Sequence, residues 1–269
     1  MFHITIGIEP VIAQLSPFQL AWHGVASLIA IFVGLALLHR EYRQRRLSFQ
    51  NWDMTAFSTL VGGIIGARLF FLIDHADYYV DHPLETLAFQ EGGLAIYGAV
   101  FGGFVAAFIA TRLFKTSFSQ LLDAVVPGLL IAQAIGRIGC AINGDAWGAP
   151  TSSPFAFIYT NPHALLPHEL LGVPTYPYPV YDMAVNLIVL AIIWPLRRRS
   201  LPSGALFAIA AALYAVGRFA ISFTRQEQVW FLGLQEAQVF SLVVLIASGA
   251  ALIWLYRRWQ PTAARAAST

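Results

Sequence analysis

Residues 235–258 read QEAQVFSLVVLIASGAALIWLYRR, a long apolar run closed by two arginines. A hydrocarbon core about 30 Å thick takes ~20 mostly apolar residues in a helix, so this stretch is expected to cross a bilayer and to stop at Arg257. Outward from it, other stretches read the same way. The expected spans lie near 18–38, 54–73, 93–114, 120–142, 178–196, 202–224 and 235–256, seven in all. Glycines and polar residues interrupt the third and fourth, and a broken or re-entrant segment is expected near 91–100. The proline-rich stretch at 143–177 is expected to form an outer loop or lid. The expected fold is all-α, a polytopic membrane protein with seven transmembrane helices in a single integral domain over 1–269.

Composition points the same way. Of the 269 residues, 58% are hydrophobic and 11% charged, against about 25% charged in an average soluble domain. Mean hydropathy is +0.65, too apolar for disorder or for a soluble core of this size. One cysteine, Cys140, excludes a disulfide scaffold. The first 17 residues hold no basic n-region, so the first apolar segment is expected to be retained. The formal charge of +2 gives no reason to expect a nucleic-acid partner.

The basic residues carry the orientation. Arg40, Arg43, Arg45 and Arg46 follow span one, and Arg112 and Lys115 follow span three. Arg197, Arg198 and Arg199 follow span five; Arg257, Arg258 and Arg265 follow span seven. With seven spans all of these fall on one side. The positive-inside rule makes that side cytoplasmic, which places the N-terminus outside and the C-terminus inside.

Arg68, Arg137, Arg218 and Arg225 remain. The first three fall within spans, and an arginine at a helix centre costs ~2.5–3.5 kcal/mol on insertion scales. For any one of them a helix-locking pair with an acid or carbonyl is as good a reason as a ligand. Several in a chain so poor in charge favour a site that receives an anion, and a planar guanidinium suits phosphate by bonding two oxygens at once. In LYAVGRFAISFTRQEQ, residues 213–228, Tyr214, Arg218, Ser222 and Arg225 form one polar stripe at helical spacing, expected to face a polar cavity. In AQAIGRIGCAINGDAWGAP, residues 132–150, Gln133, Arg137, Cys140 and Gly144 share a face. The glycines there permit close backbone approach or a broken helix. Asn143 and Asp145 follow as acceptors expected to orient arginines.

At this string the sequence resembles the prolipoprotein diacylglyceryl transferases, whose signature commonly runs G-R-x-G-N-F-x-N-x-E-x-x-G. Other pieces agree in order. EPVIAQLSPFQLAWHG resembles the family's N-terminal segment with Trp-Tyr-Gly. GGIIGARLFFLIDH resembles its Gly-Ala-Arg helix, and EGGLAIYGAVFGG its Gly-Gly-x-x-x-His/Tyr-Gly-Gly. YPYPVYD resembles His-Pro-Ser-Gln-Leu-Tyr-Glu, and LYAVGRFAISFTRQ resembles Tyr-x-x-x-Arg-Phe-x-x-Glu-x-x-Arg. The likeness covers most of residues 8–256, and the family's seven spans with an outer N-terminus match the topology above.

The resemblance implies a reaction: a diacylglyceryl group passes from phosphatidylglycerol to the lipobox cysteine of a prolipoprotein, and glycerol phosphate leaves. This is the first step of lipoprotein maturation, at the bacterial inner membrane. The implied partners are phosphatidylglycerol, prolipoprotein lipobox peptides and membrane lipids, with the chain as a monomer and no cofactor. Arg137 and Arg218 are the expected phosphate clamp, and Arg225, Arg68, Tyr214, Asn143 and Asp145 are further candidates for the lipid headgroup. His23 and Tyr97 complete the expected catalytic set. Where many members read Trp-Tyr-Gly and Phe-His-Gly, this chain has Trp22-His23-Gly24 and Ile96-Tyr97-Gly98, an exchange of imidazole and phenol. The two are therefore expected to share one cavity, with His23 taking the thiol proton and Tyr97 donating to a phosphate or ester oxygen. That cavity is expected to open outward to the peptide and sideways to lipid.

Further departures are Cys140 for Asn, Asp145 for Glu, Tyr176 for His and Ser222 for Glu. Cys140 reads as a small buried residue rather than a nucleophile. Trp147 and Trp230 read as interface anchors. His75, His82, His163 and His168 lack metal-ligand spacing, so no metal is expected. Two other functions stay in view: a lipid-binding paralogue with altered catalysis, and an anion or lipid transporter. The latter is disfavoured because no inverted repeat relates the halves.

Overall fold

The computed structural model describes residues 2–15, 18–47, 51–87, 95–227 and 229–259. Among the described residues, six helices are long and apolar enough to cross a membrane: α1 (Trp22–Gln44), α2 (Trp52–Asp74), α5 (Phe118–Asn143), α6 (Tyr178–Leu196), α7 (Ala205–Ser222) and α8 (Glu236–Arg258). A short helix α3 (Ala76–Asp81) and a 3-10 turn at Pro83–Leu87 follow α2, and α4 (Ile96–Leu113) stands where the third span is expected. The expected break near 91–100 is only partly visible, because 91–94 lie outside the described residues; from Ile96 onward the chain is helical. Phe32, Phe57 and Ile246 leave 65%, 65% and 71% of their surfaces uncovered. Large side chains left bare along apolar helices suit lipid, not water.

The helices begin and end for local reasons. Span one was expected from 18, but residues 18–21 form strand β3 and the helix starts at Trp22. It runs on to Gln44 because its basic end consists of good helix formers, with Arg45 reaching back to Glu41 at 3.4 Å. α5 passes unbroken through Gly136 and Gly139 and stops where Gly144 takes φ +75°, its amide donating to the Cys140 carbonyl at 2.9 Å. The start of α7 is satisfied from another helix: Asp123 of α5 accepts from the amides of Gly204 at 2.8 Å and Phe207 at 3.0 Å. Gln235 and Gln238 form a capping box at the head of α8.

The fold is mostly helical, and among the described residues three short strand pairs accompany the helices: β1 (Phe2–Ile6) with β4 (Phe155–Tyr159), β2 (Val11–Leu15) with β3 (Phe18–Ala21), and β5 (Val229–Phe231) with β6 (Leu234–Gln235). The first pair organises the stretch expected as a loop. β1 and β4 run parallel, Ile4 opposite Phe157 and Ile6 opposite Tyr159. Ile6, Phe157, Tyr159, Ala164 and Leu166 bury one another in a small apolar cluster. The Tyr159 hydroxyl donates to the Ala141 carbonyl at 2.9 Å, tying this head to the end of α5. Burial raises the Tyr159 phenol above its ordinary range, with the charge of Asp145 adding to the shift.

The chain forms two compact units. One joins residues 1–12, 20–38 and 122–269; the other joins 13–19 and 39–121. In the first, Val126 and Leu130 of α5, Val189 and Ile193 of α6, and Leu206 and Ala210 of α7 make the core. In the second, α2 and α4 touch along a glycine seam. A Cβ placed on Gly66 would lie 2.3 Å from the Gly98 carbonyl, and one on Gly102 would lie 2.4 Å from that of Gly62. Small residues let the two backbones meet where lipid supplies no hydrophobic drive.

Candidate active site

The first unit brings α1, α5, α6 and α7 together around two linked polar clusters. α5 and α1 meet at Gly139, where a Cβ would lie 2.8 Å from His23 Cα and 2.9 Å from Ala26 Cβ. This contact sets the first turn of α1 against the last turns of α5. Beyond it, Asp145 lies just past the helix end. His23 Nδ1 stands 3.2 Å from Asp145 Oδ2 and 3.6 Å from Cys140 Sγ. A carboxylate only accepts, so Nδ1 is the donor in this pair. The His23 side chain is 41% exposed while Cys140 is buried, so the imidazole is the accessible member.

The second cluster centres on Asp182 in the second turn of α6. Arg137 Nε donates to Asp182 Oδ2, and the Tyr214 hydroxyl of α7 donates to Asp182 Oδ1 at 3.3 Å. Asp182 is 1% exposed, so it needs both partners. Arg137 Nη1 also donates to Cys140 Sγ at 3.6 Å. One sulfur thus touches the imidazole on one side and the guanidinium on the other. Of five guanidinium donors, those engaged by Asp182 and Cys140 leave the rest of the fork for a ligand.

One turn before Asp182, the Tyr178 ring lies 5.1 Å from both the Arg218 and Arg225 guanidinium centres. Trp147 also faces Arg225, at 6.0 Å. Glu227 pairs with both arginines, 2.8 Å from Arg225 Nη1 and, as a longer ion pair, 3.7 Å from Arg218 Nη2. Tyr178, Cys140 and Ala146 bury one another, which makes the two clusters continuous. Arg137, Arg218 and Arg225 stand against Asp182, Glu227 and Asp145, three cations to three carboxylates beside the His23 imidazole. Guanidinium groups gathered in this way suit an anion by their planar donors.

Several expected residues take other roles. Asp145 was expected to orient an arginine; its Oδ2 pairs with His23 Nδ1. Asn143 is buried, and its Oδ1 has no hydrogen-bond partner among the described residues. Ser222 leaves the polar stripe: its hydroxyl donates to the Phe219 carbonyl of its own helix at 2.7 Å. Arg68 lies in the second unit, donating to the carbonyls of Thr86 at 2.9 Å and Glu85 at 2.8 Å and facing the rings of Phe71 and Tyr79. These bonds are those of a lock between α2 and the 3-10 turn. Tyr97 stands in the first turn of α4, and its side chain lies outside the described residues. Trp147 is packed in the head beneath Arg225 rather than standing alone as an anchor.

Asp182, Glu227 and Tyr178 were missed. Asp182 had a readable signal, since an acid within an apolar span demands a cationic partner. Glu227 sits two residues after Arg225 and pairs with Arg225 and Arg218.

A family model described as prolipoprotein diacylglyceryl transferase matches residues 10–254. Among curated relatives, a phosphatidylglycerol–prolipoprotein diacylglyceryl transferase of Halalkalibacterium halodurans is 34% identical over 93% of this chain and 88% of its own. Proteins of the same name are 32% identical in a Nostoc species, over 94% and 91%, and 30% identical in Dehalococcoides mccartyi, over 96% and 97%.

Proposed function

The chain belongs to the prolipoprotein diacylglyceryl transferase family, and from that premise we propose how its residues move a diacylglyceryl group from phosphatidylglycerol to a lipobox cysteine. The enzyme is a multi-pass membrane transferase acting in the first step of lipoprotein maturation. One observation carries the residue assignment: the Asp145-oriented imidazole of His23 and the Asp182-held guanidinium of Arg137 meet across the sulfur of Cys140.

The incoming thiol gives its proton to His23 Nε2, and its sulfur attacks the terminal glycerol carbon of the diacylglyceryl group. The bond from that carbon to the phosphate oxygen breaks as the carbon–sulfur bond forms, and glycerol phosphate leaves with the electron pair. Arg137 and Arg218 hold the phosphate while negative charge develops on it, and fixed donors at such a site outperform water. Asp182 and Tyr214 fix the Arg137 fork; Glu227 and Tyr178 fix Arg218 and Arg225. Cys140 sits behind the imidazole as a packing group. We assign Tyr97 a hydrogen bond to a phosphate or ester oxygen on the strength of the resemblance, and Arg225 and Asn143 a place beside the headgroup. We read the enzyme as a monomer.

The decisive experiment offers a synthetic lipobox peptide and phosphatidylglycerol vesicles to the purified protein. A mass gain of one diacylglyceryl group on the cysteine is the expected product. A lipid-binding paralogue or a transporter would leave the peptide unchanged.

The reading places this chemistry on the outer side of the bacterial inner membrane, across seven spans, in a cavity open outward and to lipid. The clustered basic residues support that orientation. A membrane-impermeant maleimide on intact cells is expected to label Thr160→Cys and not Gln44→Cys, with the native Cys140 buried as a silent background. Labelling at position 44 instead would reverse the topology.

A further inference from the structure

Cys140, His23 and Asp145 carry a second chemistry. Each offers one ligand atom, and these atoms lie within 4.8 Å of one another. A tetrahedral zinc with Zn–S ≈ 2.3 Å and Zn–N or Zn–O ≈ 2.0–2.1 Å has a sulfur-to-nitrogen edge of about 3.6 Å and a nitrogen-to-oxygen edge of about 3.3 Å. Here Sγ to Nδ1 is 3.6 Å and Nδ1 to Oδ2 is 3.2 Å. Two edges of the triangle therefore match a zinc tetrahedron, and the third, from sulfur to a carboxylate oxygen, is at most 4.8 Å. An independent observation adds to this. Asp145 Oδ1 is shut from solvent and accepts no hydrogen bond among the described residues. A buried carboxylate oxygen without a donor is costly, and a cation would satisfy it.

We propose that His23 Nδ1, Cys140 Sγ and the Asp145 carboxylate form a three-ligand site for a zinc-class divalent cation, and that its occupation shuts off transfer. The ligand set chooses the ion class. One thiolate and one imidazole favour zinc and its neighbours over magnesium or calcium, which prefer oxygen. Partial exposure of His23 and Asp145, at 41% and 30% of their side chains, leaves a path for the ion and room for a fourth ligand. Arg137 Nη1, 3.6 Å from the sulfur, acts both ways: it favours the thiolate and repels the cation. The thiol proton is released on binding, and two anionic ligands then offset the ion's charge.

The shut-off follows from the imidazole. A cation on Nδ1 displaces the hydrogen bond to Asp145 and moves the ring hydrogen to Nε2, which can then no longer accept a thiol proton. This half rests on the reading of His23 as the base; the metal site itself does not. The loop histidines gave no metal spacing, and no spacing rule joins His23 to a cysteine 117 residues away.

The test begins on the unsubstituted protein, stripped with chelator in detergent and titrated with cobalt(II). One equivalent with a near-ultraviolet sulfur-to-cobalt charge-transfer band is expected, displaced stoichiometrically by zinc. Cys140→Ala removes the band, and Asp145→Asn weakens zinc retention at least ~10-fold. Absence of the band in the unsubstituted protein, or equal zinc retention by all variants, overturns the site. Zinc is then added to the peptide assay, where loss of transfer reversed by chelator is expected. Zinc bound with the band present and transfer unchanged would keep the site and reject both the shut-off and the base assignment.

Discussion

Exchange of Arg137 for lysine is expected to lower diacylglyceryl transfer on the order of 10²-fold, the loss typical of one removed donor at a developing anion. Lysine keeps the positive charge beside Asp182, so the buried carboxylate remains compensated and the fold is spared. Its single ammonium cannot serve Asp182 and a phosphate with two fixed, parallel bonds. Alanine at this position tests less, because an uncompensated buried charge costs ~3–5 kcal/mol by itself. The same logic applies to Arg218, which faces Tyr178 and shares Glu227 with Arg225. Arg218→Lys is expected to fall with Arg137→Lys, measured as the initial rate of thioether formation on a lipobox peptide, with thermal melting in detergent as the control for folding. Full activity of both lysine variants would reject the fork and leave only a charge role.

How much of this was legible differs by link in the chain. Apolar run length gave the helices, because a bilayer fixes the number of residues a crossing helix needs. α6 at Tyr178–Leu196 and α8 at Glu236–Arg258 depart from their expected spans by two residues or fewer at each end. The head was not legible: FAFIY is a short apolar run, and its partner strand lies at the other end of the unit's sequence, where no local pattern points to it. Within the site, helical spacing gave Tyr214, Arg218 and Arg225 on one face, and Tyr214 does meet the cluster through Asp182. Ser222 broke that stripe because a hydroxyl in a helix can bond its own backbone. The Asp145–His23 pair depends on how α1 crosses α5 at Gly139, a property of packing rather than of spacing.

Removal of the imidazole is the other large effect. A general base is worth ~10²–10⁴ in rate, and His23→Gln keeps a polar side chain of similar reach while deleting the proton acceptor. Asp145 accepts from Nδ1, and the base assignment then requires Nε2 to be the nitrogen that meets the thiol. A base acts only while it can accept a proton, so this assignment predicts a rate that declines on the acid side. In His23→Gln this acid limb is expected to vanish, leaving a slow rate that rises with pH only as the peptide thiol ionises by itself. Asp145→Asn is expected to fall in the same direction, because an amide can present its own hydrogen to Nδ1 and turn the ring into the wrong tautomer. The competing account has His23 merely packing between α1 and α5 while the thiol loses its proton to water or to the departing phosphate. The two accounts separate on the pH profile rather than on the rate alone. If His23→Gln retains both the full rate and the acid limb, the imidazole is not the base, and its contact with Cys140 and Asp145 serves only packing.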